Sequence, residues 1–380
     1  RCQTGSCVRL ACSPGFVDLD PRVAGCEYAC DPRGAEVCNG VDDDCDGDVD
    51  EALTPPSNFC NANGVCGGTS PTCDGAAGWV CNYTDANYQE SETACDGRDN
   101  DCDGGIDETH PTKGDSCANG LGACARTGTV RCTADGLGVE CSASMAGTPT
   151  AEVCNGNDDD CDGRSDEGIL PGVAGSGVVT TLVSGGVHVM RYEASRPDAT
   201  AGAAGSGDTA ACSRNNRIPW TTVTWPDAQA ACCALNDGGA CLGGGRGWRL
   251  CDGSTWQAAC EGPAGTCDWS YASSCSTSQP TVCNGAEFDS DPGMAGDQDE
   301  LRGTGTFGSC RTAWGGAGSV NDLSGNVKEW VFEEVAPGIH PLRGGSYNNV
   351  EDGRMCGFDF TVGDESFAFP NTGFRCCWHP

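Results

Sequence analysis

The chain has 380 residues, 55 acidic against 21 basic side chains, a formal net charge of −34 and 32 cysteines. That charge repels phosphate backbones and anionic lipid, which excludes nucleic acid as a partner and disfavours membrane surfaces. No apolar run approaches the ~18 residues of a membrane span, and the cysteine load belongs to an oxidising setting, extracellular or at a bacterial cell surface. Nineteen cysteines lie in residues 1–168, whereas eight of the nine tryptophans lie beyond residue 200. A multi-domain chain is therefore expected: disulfide-rich modules with little regular secondary structure or apolar core, then a globular domain.

Residues 1–35 hold Cys2, Cys7, Cys12, Cys26 and Cys30 and read as a cysteine-rich module that opens mid-way, so the true start is expected to lie upstream. One motif then occurs three times: EVCNGVDDDCDGDVDE (36–51), ETACDGRDNDCDGGIDE (92–108) and EVCNGNDDDCDGRSDE (152–167). These segments delimit a first repeat (36–91), a second (92–151) and a third loop (152–168).

Each motif carries the opening of an EF-hand-type calcium loop, with carboxylates at positions 1, 3 and 5 and glycine at position 6. The first loop supplies Asp42, Asp44, Asp46, the Asp48 carbonyl at position 7 and Asp50 at position 9. The second supplies Asp99, Asp101, Asp103, Gly105 and Asp107; the third supplies Asp158, Asp160, Asp162, Arg164 and Asp166. The last ligand departs from the EF-hand: Glu51, Glu108 and Glu167 fall at position 10, where an EF-hand has its glutamate at position 12. Cys45, Cys102 and Cys161 occupy position 4, facing away from the ion, and are expected to bridge to Cys38, Cys95 and Cys154 seven residues earlier.

These loops resemble the acidic metal-binding repeat named after the bacterial surface protein MopE, which implies copper. Copper favours imidazole and sulfur ligands, whereas these are carboxylates, so calcium is the expected ion and copper the lesser alternative. The spacers carry four cysteines each (Cys60, Cys66, Cys73, Cys81; Cys117, Cys124, Cys132, Cys141) and are expected to form two internal bridges each, in one of three pairings.

From residue 169 to 380 the texture changes. Alternating apolar residues over 177–195 predict strands, residues 225–235 a helix with Pro226 in its first turn, and 249–260 a strand end followed by a helix. Five motifs follow in order: Trp225-Pro-Asp-Ala, Arg249-Leu-Cys-Asp-Gly-Ser-Thr-Trp256, Asp322-Leu-Ser-Gly-Asn-Val-Lys-Glu-Trp330, Arg343-Gly-Gly-Ser-Tyr347 and Gly373-Phe-Arg-Cys376. Together they resemble the formylglycine-generating enzyme (sulfatase-modifying factor) domain, which implies an α+β, C-type-lectin-like fold.

The resemblance also implies a calcium held by Asp322, Gly325, Val327 and Glu329, and a second one near Asn284 with Asp297 or Asp299. It does not carry the oxidase activity over. The family's two copper-binding cysteines fall on Asn349 and Arg354, the nearby Cys356 is expected to bridge to Cys376 or Cys377, and the four histidines are too scattered to hold iron. The adjacent pairs Cys232-Cys233 and Cys376-Cys377 predict two separate bridges each. Odd cysteine counts in both halves predict a bridge between them or an unpaired thiol in each.

The expected function is that of a secreted or surface structural or adhesive protein with a catalytically inactive head. It would assemble with itself or other surface proteins into a fibre or layer, with a glycan or protein as the ligand of the head. The alternatives are a copper- or iron-dependent oxidase and a metal-sequestering surface protein.

Overall fold

The computed structural model describes residues 2–3, 6–7, 11–289, 291–295 and 298–380. The chain forms two compact units, one of Arg1–Ala118 with Thr127–Ala143, the other of Asn119–Arg126 with Ser144–Pro380. No helix among the described residues is long and apolar enough to cross a membrane.

The first unit has little regular structure. Two-residue strands pair as Phe16–Val17 with Tyr28–Ala29 and as Thr72–Cys73 with Trp79–Val80. Val130 to Cys132 pairs with Val139 to Cys141. Its buried apolar side chains are cysteines, among them Cys45, Cys60, Cys66, Cys95 and Cys102. Disulfides stand where a larger domain would have an aliphatic core.

The bridges differ from the expected loop-internal pairing. In every repeat the first loop cysteine bonds forward and the second bonds backward. Cys38, Cys95 and Cys154 reach Cys73, Cys132 and Cys212. Cys45, Cys102 and Cys161 reach back to Cys30, Cys66 and Cys124. The physical reason lies in the backbone: Cys45, Cys102 and Cys161 have φ of 61°, 65° and 67°, a left-handed conformation uncommon outside glycine. Only the outer cysteines of each spacer pair internally, Cys60–Cys81 and Cys117–Cys141, because the inner two serve the loops. Cys154–Cys212 joins the two halves of the sequence and accounts for the odd counts; among the described residues there is no free cysteine.

Among the described residues the second unit has two small four-stranded sheets and two α-helices. Strands β1 (Thr180–Leu182), β2 (His188–Met190), β3 (Gly247–Leu250) and β10 (Cys376–His379) form an antiparallel sheet in the order β1-β2-β10-β3. A hairpin pairs β4 (Arg311–Ala313) with β5 (Ser319–Asn321). Strands β6 (Lys328–Trp330), β7 (Ile339–Arg343), β8 (Thr361–Asp364) and β9 (Thr372–Phe374) form the other sheet, ordered β8-β7-β6-β9. Its β6–β9 pair is parallel and sets Glu329 opposite Gly373.

Helix α1 (Trp225–Cys233) starts where predicted. The Thr224 hydroxyl accepts the Asp227 amide, Pro226 fills the first turn, and Ala228, Ala231, Cys232 and Cys233 face inward. Helix α2 (Gly253–Glu261) buries Trp256, Ala259 and Cys260. The Glu333 carboxylate accepts its Gly253 amide and places negative charge at the helix N-terminus.

One core cluster gathers Trp220, Trp248, Trp330, Leu250, Leu342 and Phe374; a second gathers Val189, Trp256, Val320, Leu323 and Val331. The adjacent cysteine pairs separate as expected into Cys232–Cys376, Cys233–Cys241 and Cys251–Cys377. Cys356 bonds to Cys260 on α2, not to Cys376 or Cys377, which are already committed across the first sheet.

Candidate metal centres

The three acidic loops share one hydrogen-bond scheme. The position-1 aspartates Asp42, Asp99 and Asp158 are buried, and in each one oxygen, Oδ2, accepts the amide of the position-6 glycine at 3.0 Å. The other oxygen, Oδ1, is buried without a hydrogen-bond partner in all three. A buried carboxylate oxygen with nothing to bind is costly. The position-3 aspartates Asp44, Asp101 and Asp160 accept the position-5 amides at 3.1–3.2 Å. Asp46, Asp103 and Asp162 accept the position-7 amides of Asp48, Gly105 and Arg164 at 2.7–3.0 Å. The loop thus curls so that its carboxylates at positions 1, 3 and 5 converge.

Oxygen atoms of Asp44, Asp46 and Glu51 lie within 4.8 Å of one another, as do those of Glu36, Asp42 and Asp44. In the second loop, Glu108 Oε2 and Asp103 Oδ1 approach Gly105 so closely that a Cβ there would meet them at 2.7 and 3.0 Å. Glu51 and Glu167 each keep a buried oxygen without a partner. Burial pushes the Glu167 carboxyl above its ordinary value, and Glu152, Asp162 and Asp160 add to the push. These oxygens fit a hard cation.

The position-9 aspartates stand apart from this convergence. Asp50, Asp107 and Asp166, at φ 57°, 56° and 67°, face the turn after the first cysteine and cap it. Asp50 Oδ1 accepts the amides of Asn39 and Gly40 at 2.9 and 3.1 Å, Asp107 those of Asp96 and Gly97 at 2.8 and 3.0 Å, and Asp166 those of Asn155 and Gly156 at 2.6 and 2.8 Å. Lys113 binds Asp107 and the Thr209 hydroxyl binds Asp166 as well. These carboxylates were expected as ligands; here all three hold the turn after the first cysteine, and Asp107 and Asp166 hold Lys113 and Thr209 besides.

A glutamate that opens every motif, with no EF-hand counterpart, sits instead at the loop. Glu36 accepts the amides of Asp43 and Asp44 at 2.6 and 2.9 Å and that of Asp50 at 2.9 Å. Glu152 does the same for Asp159, Asp160 and Asp166 at 2.7, 2.8 and 2.7 Å. Glu92 accepts the Asp107 amide at 3.0 Å. The signal was present in the sequence, since the residue recurs in all three copies.

The globular unit holds a second acidic cluster, at the segment expected to bind calcium. Glu193, Asp322, Glu329 and Arg375 are all buried. Arg375 grips Glu329 with Nε at 2.7 Å and Nη2 at 2.6 Å, and Trp256 Nε1 donates to Glu329 at 2.7 Å. Asp322 accepts the Gly305 amide at 2.6 Å, and burial pushes its carboxyl up to about 7. Glu193 accepts from Asn326 Nδ2 at 2.6 Å and from the Val327 amide at 3.1 Å. Glu329 is thus held by a guanidinium, whereas Asp322 and Glu193 have only amide donors. Gly325 packs against the Asn284 carbonyl, where a Cβ would come within 2.4 Å. Asn284 itself donates to the Glu300 carbonyl and to Asn326 at 3.0 and 2.8 Å; Asp297 lies outside the described residues.

Asn349 and Arg354, at the family's thiolate positions, have structural partners. Asn349 Oδ1 accepts from the Ser346 amide and hydroxyl at 3.0 and 2.7 Å. Arg354 is fully buried and donates to the Ser324 and Pro280 carbonyls and, at 2.6 Å, to Glu287. The histidines stay apart: His110 contacts the Thr93 carbonyl, His188 contacts Thr180, His340 stacks on Trp225, and His379 lies beside Asp252.

Fold and loops together define a disulfide-rich chain with metal-binding motifs and a formylglycine-generating-enzyme-like domain. The chain belongs to the family of sulfatase-modifying factor enzyme 1-like domains, whose family model matches residues 180–380. The MopE-type metal-binding motif matches residues 29–51, 81–108 and 149–167. Comparison with curated proteins finds no match.

Similar solved structures include Treponema denticola variable protein 1, at 16% identity and TM-score 0.36, covering 51% of this chain and 84% of that one. CarF follows at 17% and 0.35, covering 51% and 86%. PvdO from Pseudomonas aeruginosa follows at 14% and 0.31, covering 51% and 80%.

Proposed function

We propose that the chain is an extracellular or surface structural and adhesive protein whose three acidic loops each take one calcium ion as a structural element. Its formylglycine-generating-enzyme-like domain serves as a non-catalytic head. The observation that carries the metal reading is the buried, unpartnered Oδ1 of Asp42, Asp99 and Asp158, found at the same place in all three loops. All the converging side-chain ligands are carboxylates, which suit a hard cation better than copper. When bound, calcium would relieve the repulsion between these carboxylates and tie each loop closed. The disulfide load supports an oxidising, extracellular location. The non-catalytic reading rests on Asn349 and Arg354, which offer no thiolate for copper. The head is free in this reading to take a glycan or protein ligand, and the chain to assemble with copies of itself into a fibre or layer.

Elemental analysis of purified protein should find about one calcium per loop, and chelation should open residues 36–168 to protease. Protease resistance unchanged by chelation would sink the calcium reading. Incubation with copper, oxygen and a cysteine-containing peptide should give no oxidised product; turnover would sink the non-catalytic one.

A further inference from the structure

We propose that the glutamate opening each motif, Glu36, Glu92 or Glu152, is a direct ligand of the loop's ion and closes the coordination shell that an EF-hand closes from position 12. The inference rests on the metal reading above and adds a ligand outside the Asp-x-Asp-x-Asp-Gly segment.

Glu92 carries the argument. It is 0% exposed, yet its Oε2 has no hydrogen-bond partner. Its other oxygen holds the Asp107 amide, which fixes the side chain in place. Its own amide donates to Asp101 Oδ2 at 3.3 Å, which sets the residue over position 3 of the loop. Asp99 Oδ1, also buried and unpartnered, belongs to the same loop, and Glu108 lies beside Glu92. Two unpartnered buried carboxylate oxygens in one repeat, with Glu108 alongside Glu92, are what a bound cation would satisfy. The first loop repeats the arrangement, with a Glu36 oxygen within 4.8 Å of oxygens of Asp42 and Asp44.

The stereochemistry suits the role. The position-9 aspartate is taken up in capping the Cys-Asn-Gly or Cys-Asp-Gly turn, so the loop lacks a donor on that side. The upstream glutamate arrives from there. The resulting set is Asp at positions 1, 3 and 5, Glu at position 10 and the upstream Glu. Five carboxylates at one site would favour calcium, which accepts six to eight oxygens, over magnesium, which keeps its waters.

The test is calcium titration of the full chain by calorimetry, with terbium luminescence in parallel. Wild type should bind three tight ions. Glu92→Gln keeps the acceptor for the Asp107 amide but removes the charge; it should weaken one of the three sites by about tenfold or more. Glu90→Gln, a nearby exposed position, should leave all three unchanged. Should Glu92→Gln fail to fold, Glu36→Gln provides the same comparison in the first loop. Three sites of wild-type affinity in a folded Glu→Gln variant would overturn the proposal while leaving the calcium reading intact. A wild-type chain that binds no calcium would overturn both.

Discussion

Single carboxylates in this protein differ in what satisfies them. Glu329 is neutralised by a buried guanidinium, and losing one partner of such a pair costs about 3–5 kcal/mol. Asp322, seven residues earlier in the chain, has an amide and no cation of its own, and burial raises its carboxyl to about 7. A raised folded-state value means the folded chain binds the extra proton. The associated stability is complete below the ordinary aspartate value and is lost as pH rises through about 7. In chelator, the thermal midpoint of the globular unit should therefore fall between pH 6 and pH 8. Asp322→Asn, which is neutral throughout, should flatten that slope; an equal slope in the variant would assign it to other groups. The motif around Asp322 and Glu329 was visible in the sequence, as was Gly373-Phe-Arg375. Their pairing was not, because it depends on the parallel contact of β6 with β9 across forty residues of intervening chain.

At the scale of elements, the acidic loops work with the turns that precede them. A 3₁₀ turn at Gly64–Cys66 donates the Val65 amide to the Asp99 carbonyl at 3.0 Å. Its counterpart at Gly122–Cys124 donates the Ala123 amide to the Asp158 carbonyl at 2.8 Å. Glycine is required at both, since a Cβ on Gly64 would meet the Asp99 carbonyl at 2.0 Å and one on Gly122 the Asp158 carbonyl at 2.3 Å. Gly64→Ala should thus loosen the second loop by about 1–3 kcal/mol, read as faster amide hydrogen exchange at Asp99–Asp103; unchanged exchange would refute the docking role. Much of the loop was legible in the sequence: its position, its converging aspartates and its tight glycine turn. Two features were not. Left-handed φ at Asp50, Asp107 and Asp166 is not encoded by residue type, so their capping of the preceding turn could not be foreseen. Bridges spanning thirty-five or more residues cannot be chosen by spacing when each cysteine has several partners in reach.

For the whole molecule, the forward-and-backward rule of the loop cysteines has a mechanical consequence. Consecutive bridges overlap in sequence without a break from Cys30 to Cys212. Under tension the load crosses each bridge, steps back seven or eight residues, and crosses the next. Five such steps separate the six bridges, and three of them are the Cys38–Cys45, Cys95–Cys102 and Cys154–Cys161 stretches of the acidic loops. At about 3.5 Å per residue and roughly 5–6 Å per bridge the taut path measures roughly 160 Å, against roughly 640 Å for the same chain without bridges. Single-molecule stretching between tags at residues 30 and 212 should stop near the shorter length and reach the longer one only in reductant. Extension to the longer length under oxidising conditions would contradict the bridge order. A tether built this way resists lengthening by covalent shortcuts, and it directs pulling force through the carboxylate loops.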